Sequence, residues 1–140
     1  MNNYQSYPNI DYYKKLISSN NSSVNNLYDP YTGFIHGNMF PDLYSPYKIA
    51  KPYDIQPLNE QARALTQIDA LNFALIDLGL YLDVHPEDRD ILNLFNQYRL
   101  QKNNLTKEYE NKYGPLTLNS DILTTYPWAW NNQPWPWENK

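Results

Sequence analysis

The chain has 140 residues, a net charge of -4 and a mean hydropathy of -0.76, which leaves room for one domain with a small core. Its 11 Lys and Arg and 15 Asp and Glu are interleaved along the chain, so it lacks the basic stripe that a phosphate backbone requires, and nucleic acid is discounted as a partner. Cys is absent, which removes disulfide frameworks and thiolate metal sites. No run of about 18 apolar residues predicts a membrane span, and MNNYQSYPNI lacks the charged and apolar parts of a signal peptide, so retention inside the cell is expected.

Residues 1–57 are rich in Tyr, Asn, Ser and Pro and hold nine of the 14 tyrosines. SSNNSSVNN (18–26) is a polar low-complexity linker. YDPYTG (28–33) and SPY (45–47) predict turns, since Asp-Pro and Thr-Gly punctuate a chain. A short helix is expected around Asp11 to Ile17. The composition predicts a partly disordered arm. The alternative is an arm that orders on binding, with GNMFPDLYSPYK (37–48) as its docking segment and Phe40, Tyr44 and Tyr47 as its aromatic contacts.

Residues 58–82 predict a helix. Asn59 can cap the first turn, with Pro57 just outside it. Leu65, Ile68, Asn72, Leu75, Gly79 and Leu82 recur at heptad a/d spacing and predict one packing seam. Phe73, Ile76 and Leu80 lie on another side. The C-terminal half is therefore apolar over much of its circumference, the pattern of a helix buried on more than one side. Asp83-Val84-His85-Pro86 breaks it.

Pro86 suits the first position of the next helix, where a missing N–H costs nothing. Glu87, Asp88 and Asp90 complement the positive end of its dipole, and His85 or Asp83 is the expected cap. This second helix is expected from Pro86 to about Tyr113, with a stripe of Ile91, Phe95, Tyr98, Lys102, Leu105, Tyr109 and Lys112, widened by Leu92 and Leu94. Gly114-Pro115 stops it. A short connection makes the two helices antiparallel neighbours. The predicted fold is all-α: an αα-hairpin over 58–115 between extended, largely irregular arms, residues 1–57 and 116–140.

The last segment, YPWAWNNQPWPWENK, holds all four tryptophans. Trp128, Trp130, Trp135 and Trp137 alternate with prolines that forbid a continuous helix or a central strand. Such a tail cannot build its own core. With Tyr126 it packs on the hairpin, on a second copy, or on a partner. Phe73, Ile76 and Leu80 form a surplus apolar face that needs a third layer from the same three sources.

Nothing in the sequence points to catalysis. The two histidines, His36 and His85, belong to no Glu-x-x-His motif of the kind that builds dimetal bundle sites. Asp83, His85, Glu87 and Asp88 are close in sequence, yet their spacing fits no catalytic zinc or iron pattern, and they read as a capped helix start. No nucleophile elbow or phosphate-binding Gly loop occurs. The chain is expected to be a non-enzyme without a cofactor.

LYLDVHPEDRDILNLFNQY (80–98), YGPL (113–116) and YPWAWNNQPWPW (126–137) occur in an order that resembles the CotJB family of bacterial spore coat proteins, over residues 60 to 137. GNMFPDLYSPYK in the N-terminal extension is similar to a Pro/aromatic motif of that family's companion, CotJA. The resemblance implies a structural coat component made in the mother-cell cytoplasm and laid into the inner coat. It implies contact with a CotJA-like protein and a CotJC-like manganese catalase, and leaves homo-oligomerisation open. The alternative it implies is a non-catalytic accessory subunit that loads or regulates that catalase. An arm with nine tyrosines is also a candidate for oxidative tyrosine coupling in the coat.

Overall fold

The computed structural model describes residues 26–43 and 54–132. Three α-helices run in chain order: α1 (Pro30–His36), α2 (Glu60–Val84) and α3 (Arg89–Tyr113). Single 3-10 turns follow α1 at Pro41–Leu43 and follow α3 at Asp121–Thr124 and Ala129–Asn131. No strand occurs among the described residues, and α2 and α3 form the expected antiparallel hairpin. The predicted helix at Asp11–Ile17, most of the 18–26 linker and the SPY turn lie outside the described residues.

Each long helix has a local reason to start and stop. Asn59 caps α2, its Oδ1 accepting the Ala62 N–H at 2.8 Å, which satisfies one of the orphan donors of the first turn. Asp88 caps α3: Oδ1 accepts the Ile91 N–H at 3.1 Å, while Oδ2 accepts the Tyr81 hydroxyl at 3.0 Å. This corrects the expected start at Pro86 and the expected caps, His85 or Asp83. The His85 N–H bonds back to Tyr81 O and the Asp88 N–H to His85 O, so Pro86 and Glu87 form the turn between helices. A carboxylate with two donors to accept is the stronger cap. At the far end the Gly114 N–H reaches Glu110 O, and Gly114 takes φ 122°, a conformation costly for any residue with a Cβ.

YDPYTG is a helix start rather than a turn. Asp29 accepts the Thr32 N–H at 3.1 Å and the Thr32 hydroxyl at 2.5 Å. Pro30 occupies the first turn, and Gly37, at φ 74°, closes the C-terminus. Asp-Pro is therefore a cap followed by a first-position proline, a pair that reads locally like turn punctuation. At seven residues α1 is too short to persist alone. Packing on α2 holds it.

The chain after α1 supplies the core's central side chain. Met39 is 0% exposed and lies among Leu71, Ala74, Leu78, Ile91, Leu94 and Tyr98. Its N–H bonds Asp77 Oδ2 at 2.8 Å, and its carbonyl accepts the Tyr28 N–H at 3.0 Å. Around it Phe34 meets Phe73 with ring centroids 6.1 Å apart, and Phe40 stacks on Tyr81 at 4.9 Å. Gly33 makes room: a Cβ there would lie 2.3 Å from Met39 Sδ.

This third layer shifts the seam of α2. Of the predicted line Leu65, Ile68, Asn72, Leu75, Gly79 and Leu82, Ile68 alone is buried; the other buried residues are Ala70, Leu71, Ala74 and Leu78. Asn72 is exposed, and Leu75, Gly79 and Leu82 are half-buried. The helix is covered from two directions, by α3 and by the arm. Its deepest line runs between them, where Ala70 and Ala74 let both neighbours approach. On α3 the predicted stripe survives at Ile91, Tyr98 and Tyr109, with Leu94 buried beside it. Gln61 Nε2 donates to the Tyr109 hydroxyl at 2.9 Å and ties the open end of the hairpin.

By length and composition α2 could also cross a bilayer, a property that a search for an uninterrupted apolar run passes over. The core helix of a bundle meets the same two criteria. In this chain α2 lends Leu71, Ala74 and Leu78 to the core, and its Asp77 carboxylate holds the Met39 N–H.

Two outcomes follow from this packing. Replacing Gly by Ala inside a helix ordinarily stabilises by about 0.5–1 kcal/mol. Gly33→Ala should instead lower the urea midpoint, because the fully buried Met39 would have to shift against its core neighbours; overpacking typically costs about 1–3 kcal/mol. The second outcome concerns Tyr98, whose phenol is pushed well above its ordinary value by burial and then by the nearby charge of Asp29. Above the unfolded tyrosine value of about 10, unfolding releases this proton, so stability should fall as pH rises from there. Urea titrations at several pH values between neutral and alkaline would show it.

Candidate functional site

The C-terminal segment is built by one buried carboxylate. Glu110, in the last turn of α3, is buried, and its Oε1 accepts the Leu116 N–H at 2.9 Å. That bond turns the chain back after Gly114-Pro115. Leu123, in the next 3-10 turn, is buried and anchors the segment. Beyond it the Tyr126–Pro127 peptide is cis.

This anchored segment presents apolar side chains outward. Tyr126 is 98% and Trp128 54% exposed, and Leu118 is exposed as well. Trp130 is half-buried and makes a contact of its own. The tail thus divides: Leu123 and Trp130 face inward, Tyr126 and Trp128 outward. Trp135 and Trp137 lie outside the described residues. Large aromatic side chains that protrude from a held backbone suit a protein interface, since they bury much area at little cost in conformational entropy.

The other predicted contact residues separate in space. Phe73 is half-buried against Phe34. Ile76 and Leu80 are 59% and 62% exposed, on the arc of α2 that neither α3 nor the described part of the arm covers. Val84 continues that exposed line by one turn. Phe40 is occupied within the chain, on Tyr81. Tyr44 and Tyr47 fall outside the described residues. The docking segment therefore docks, at least through Met39 and Phe40, on the chain's own hairpin. Met39, Asp77 and Glu110 are the residues that sequence reasoning missed. The signal for Met39 was present as an apolar pair, Met39-Phe40, inside the polar arm.

A shallow groove lies beside Phe40 and Tyr81 and is lined further by Leu27, Pro41, Ile91, Asp42 and Asp88. Both carboxylates are engaged: Asp42 accepts from Asn26, and Asp88 caps α3 and accepts from Tyr81. The Tyr81 phenol is held above its ordinary range, first by that hydrogen bond. The histidines are engaged too. His36 lies 2.8 Å from Thr32 O through Nδ1 and stacks on Tyr28, and His85 packs on Tyr81. Among the described residues no group of three or more His, Asp or Glu converges as a metal site would require. What the described surface offers is exposed apolar contact area.

A family model described as CotJB protein matches residues 62–138, more than half of the chain. The matched region begins at the start of α2 and runs through the outward-facing tail, and it leaves α1 and the rest of the arm outside. No curated protein and no solved structure matches.

If the outward aromatics serve contact rather than folding, their removal should cost the isolated chain little. Tyr126→Ser with Trp128→Ala should change unfolding free energy by no more than about 0.5 kcal/mol per site, the range of exposed substitutions. Leu123→Ala should cost several times more. Chemical denaturation of the three proteins side by side makes the comparison.

Proposed function

The chain belongs to the CotJB family of spore-coat-associated proteins, and from that premise we propose that it is a structural adaptor of coat assembly. In this reading it is made in the mother-cell cytoplasm and laid into the inner coat. There it joins a CotJA-like companion and a CotJC-like manganese catalase to the growing layer. The observation that carries the reading is the outward pair Tyr126 and Trp128, held on a folded scaffold inside the family-matched region. Tyr126 and Trp128, on the segment that follows the Glu110 turn and the buried Leu123, are aromatic surface left exposed among the described residues.

The arm supports a further part of the proposal. GNMFPDLYSPYK, the segment similar to the CotJA motif, begins with residues that pack on the hairpin core. The extension then supplies in the same chain a contact that a companion would otherwise make. The groove with its engaged carboxylates favours no chemistry of its own, so the chain's role is to bind and position.

Affinity capture from sporulating cells tests the adaptor role. The tagged chain should bring down coat proteins and the catalase. The Tyr126→Ser/Trp128→Ala variant should bring down at least tenfold less while keeping its helical circular dichroism. A wild-type chain that captures neither contradicts the proposal. A deletion strain whose coat assembles normally, but whose catalase has lost manganese, would replace it with the accessory-subunit reading.

A further inference from the structure

The outer faces of α2 and α3 differ in charge and match in spacing. On α2, Asp69, Asn72, Ile76, Leu80 and Asp83 are exposed at intervals of three and four, which places them on one face. The sole basic residue of α2 is Arg63, at its opposite end, and it is paired with Glu60. On α3, Leu92, Asn96, Leu100, Asn103 and Lys107 are exposed at the same kind of interval, with Arg99 alongside. From Ile91 to Lys107, α3 carries no carboxylate. One face is apolar and acidic, the other apolar and basic. No ion pair within the described residues engages Asp69, Asp83, Arg99 or Lys107.

The two faces also match in register. Antiparallel alignment of Ile76 with Leu100 sets Asp69 opposite Lys107 and Val84 opposite Leu92, because each pair is equally far along its helix from the central one. All four apolar residues are exposed. Within one chain the hairpin already pairs its helices at nearly this height: Gly79 lies against Phe95, with 3.8 Å from an added Cβ to the ring. The two registers differ by two residues, about 3 Å along a helix. Near-equal registers are what a two-fold axis parallel to the helices requires, since each α2 then faces the partner's α3 at its own height.

Helical spacing puts both faces on the side of the hairpin away from α1. On α2 the arm is met by Phe73 and Asp77 and α3 by Gly79, and Ile76 falls on the arc those contacts leave. On α3 the residues around Met39 are Ile91, Leu94 and Tyr98, and Asn96, Asn103 and Lys107 fall opposite them.

We infer that this side is the docking surface for a second copy of the chain, α2 of each copy on α3 of the other, which completes a four-helix bundle. A bundle of antiparallel neighbours buries the apolar residues in both contacts at once, and the opposed charges select the partner helix and its direction. The inference rests on the two helix faces alone, and it stands whether or not the coat assignment does.

Sedimentation velocity on the full chain tests this, with circular dichroism confirming that each variant keeps its helices. The wild type should level off with rising concentration at twice the monomer mass of 16.6 kDa. Ile76→Asp/Leu80→Asp removes one face, and Leu92→Asp/Leu100→Asp the other. Each variant alone should need about thirtyfold more protein to associate, the effect of losing one interface hot spot. Mixed one to one, they should recover part of the pairing, since one α2–α3 contact of the two is then intact. Asp69→Lys should weaken the wild-type dimer and regain it with Lys107→Asp. A wild type that stays monomeric, growth without a plateau, either face variant dimerising normally, or a mixture that fails to pair would overturn the inference. So would dimerisation that appears only after residues 133–140 are removed, because the tail would then be the occupant of the face.

Discussion

The insertion of Met39 between α2 and α3 is the contact on which the rest of the structure depends. Two amphipathic helices meet along one line and leave apolar flanks on both sides of it. Met39 fills one of those flanks, touching residues from both helices and no water. Fully burying such a side chain contributes about 1.5–3 kcal/mol, a substantial share of the stability of a small domain. The backbone that carries it is fixed by polar contacts as well. Asp77 takes its N–H, Tyr28 gives to its carbonyl, and Gly33 leaves the space its sulfur occupies. A long flexible side chain suits the role, because it can follow an irregular gap between two helices.

That insertion decides which faces remain. With the arm on one side and α3 beside it, the described residues leave one arc of α2 open, and Ile76 and Leu80 lie on it. The tail is governed from another direction. Its course is set by the Glu110 carboxylate and the Leu123 anchor, at the opposite end of the hairpin from the helix-joining turn. The chain therefore has two exposed apolar surfaces with separate supports: a helical one across the back of the hairpin and an aromatic one on the segment that follows α3. If a second copy takes one and a different neighbour the other, as proposed, the chain has the valence that a layered assembly needs.

Much of the fold was legible because its determinants are local. Asn59 beside Pro57, a long apolar periodicity, Asp-Val-His-Pro and Gly114-Pro115 each act within a few residues and set the hairpin. The start of α3 slipped by one turn, because Pro86 satisfies the first-position rule while Asp88 satisfies a rule and a tertiary bond to Tyr81 together. α1 escaped because Asp29-Pro30 signals a turn and a helix start equally, and seven residues give no periodicity to decide between them. The seam of α2 was rotated for a nonlocal reason: a heptad search rewards large aliphatics, while the arm and α3 converge on Ala70 and Ala74. The candidate surface was legible in kind and not in detail. Aromatic residues beside prolines announced an interface, but only the path of the chain after Glu110 determines that Tyr126 points out while Leu123 points in.

The central claim is that the arm around Met39 is an integral part of the core. Native-state hydrogen exchange of the full chain tests it most directly. The Met39 amide, bonded to Asp77, and the Tyr28 amide, bonded to Met39 O, should exchange with opening free energies close to those of the Leu71–Leu78 amides of α2. Exchange of the Met39 and Tyr28 amides at the rate of an unstructured chain, with α2 and α3 still protected, would contradict the account.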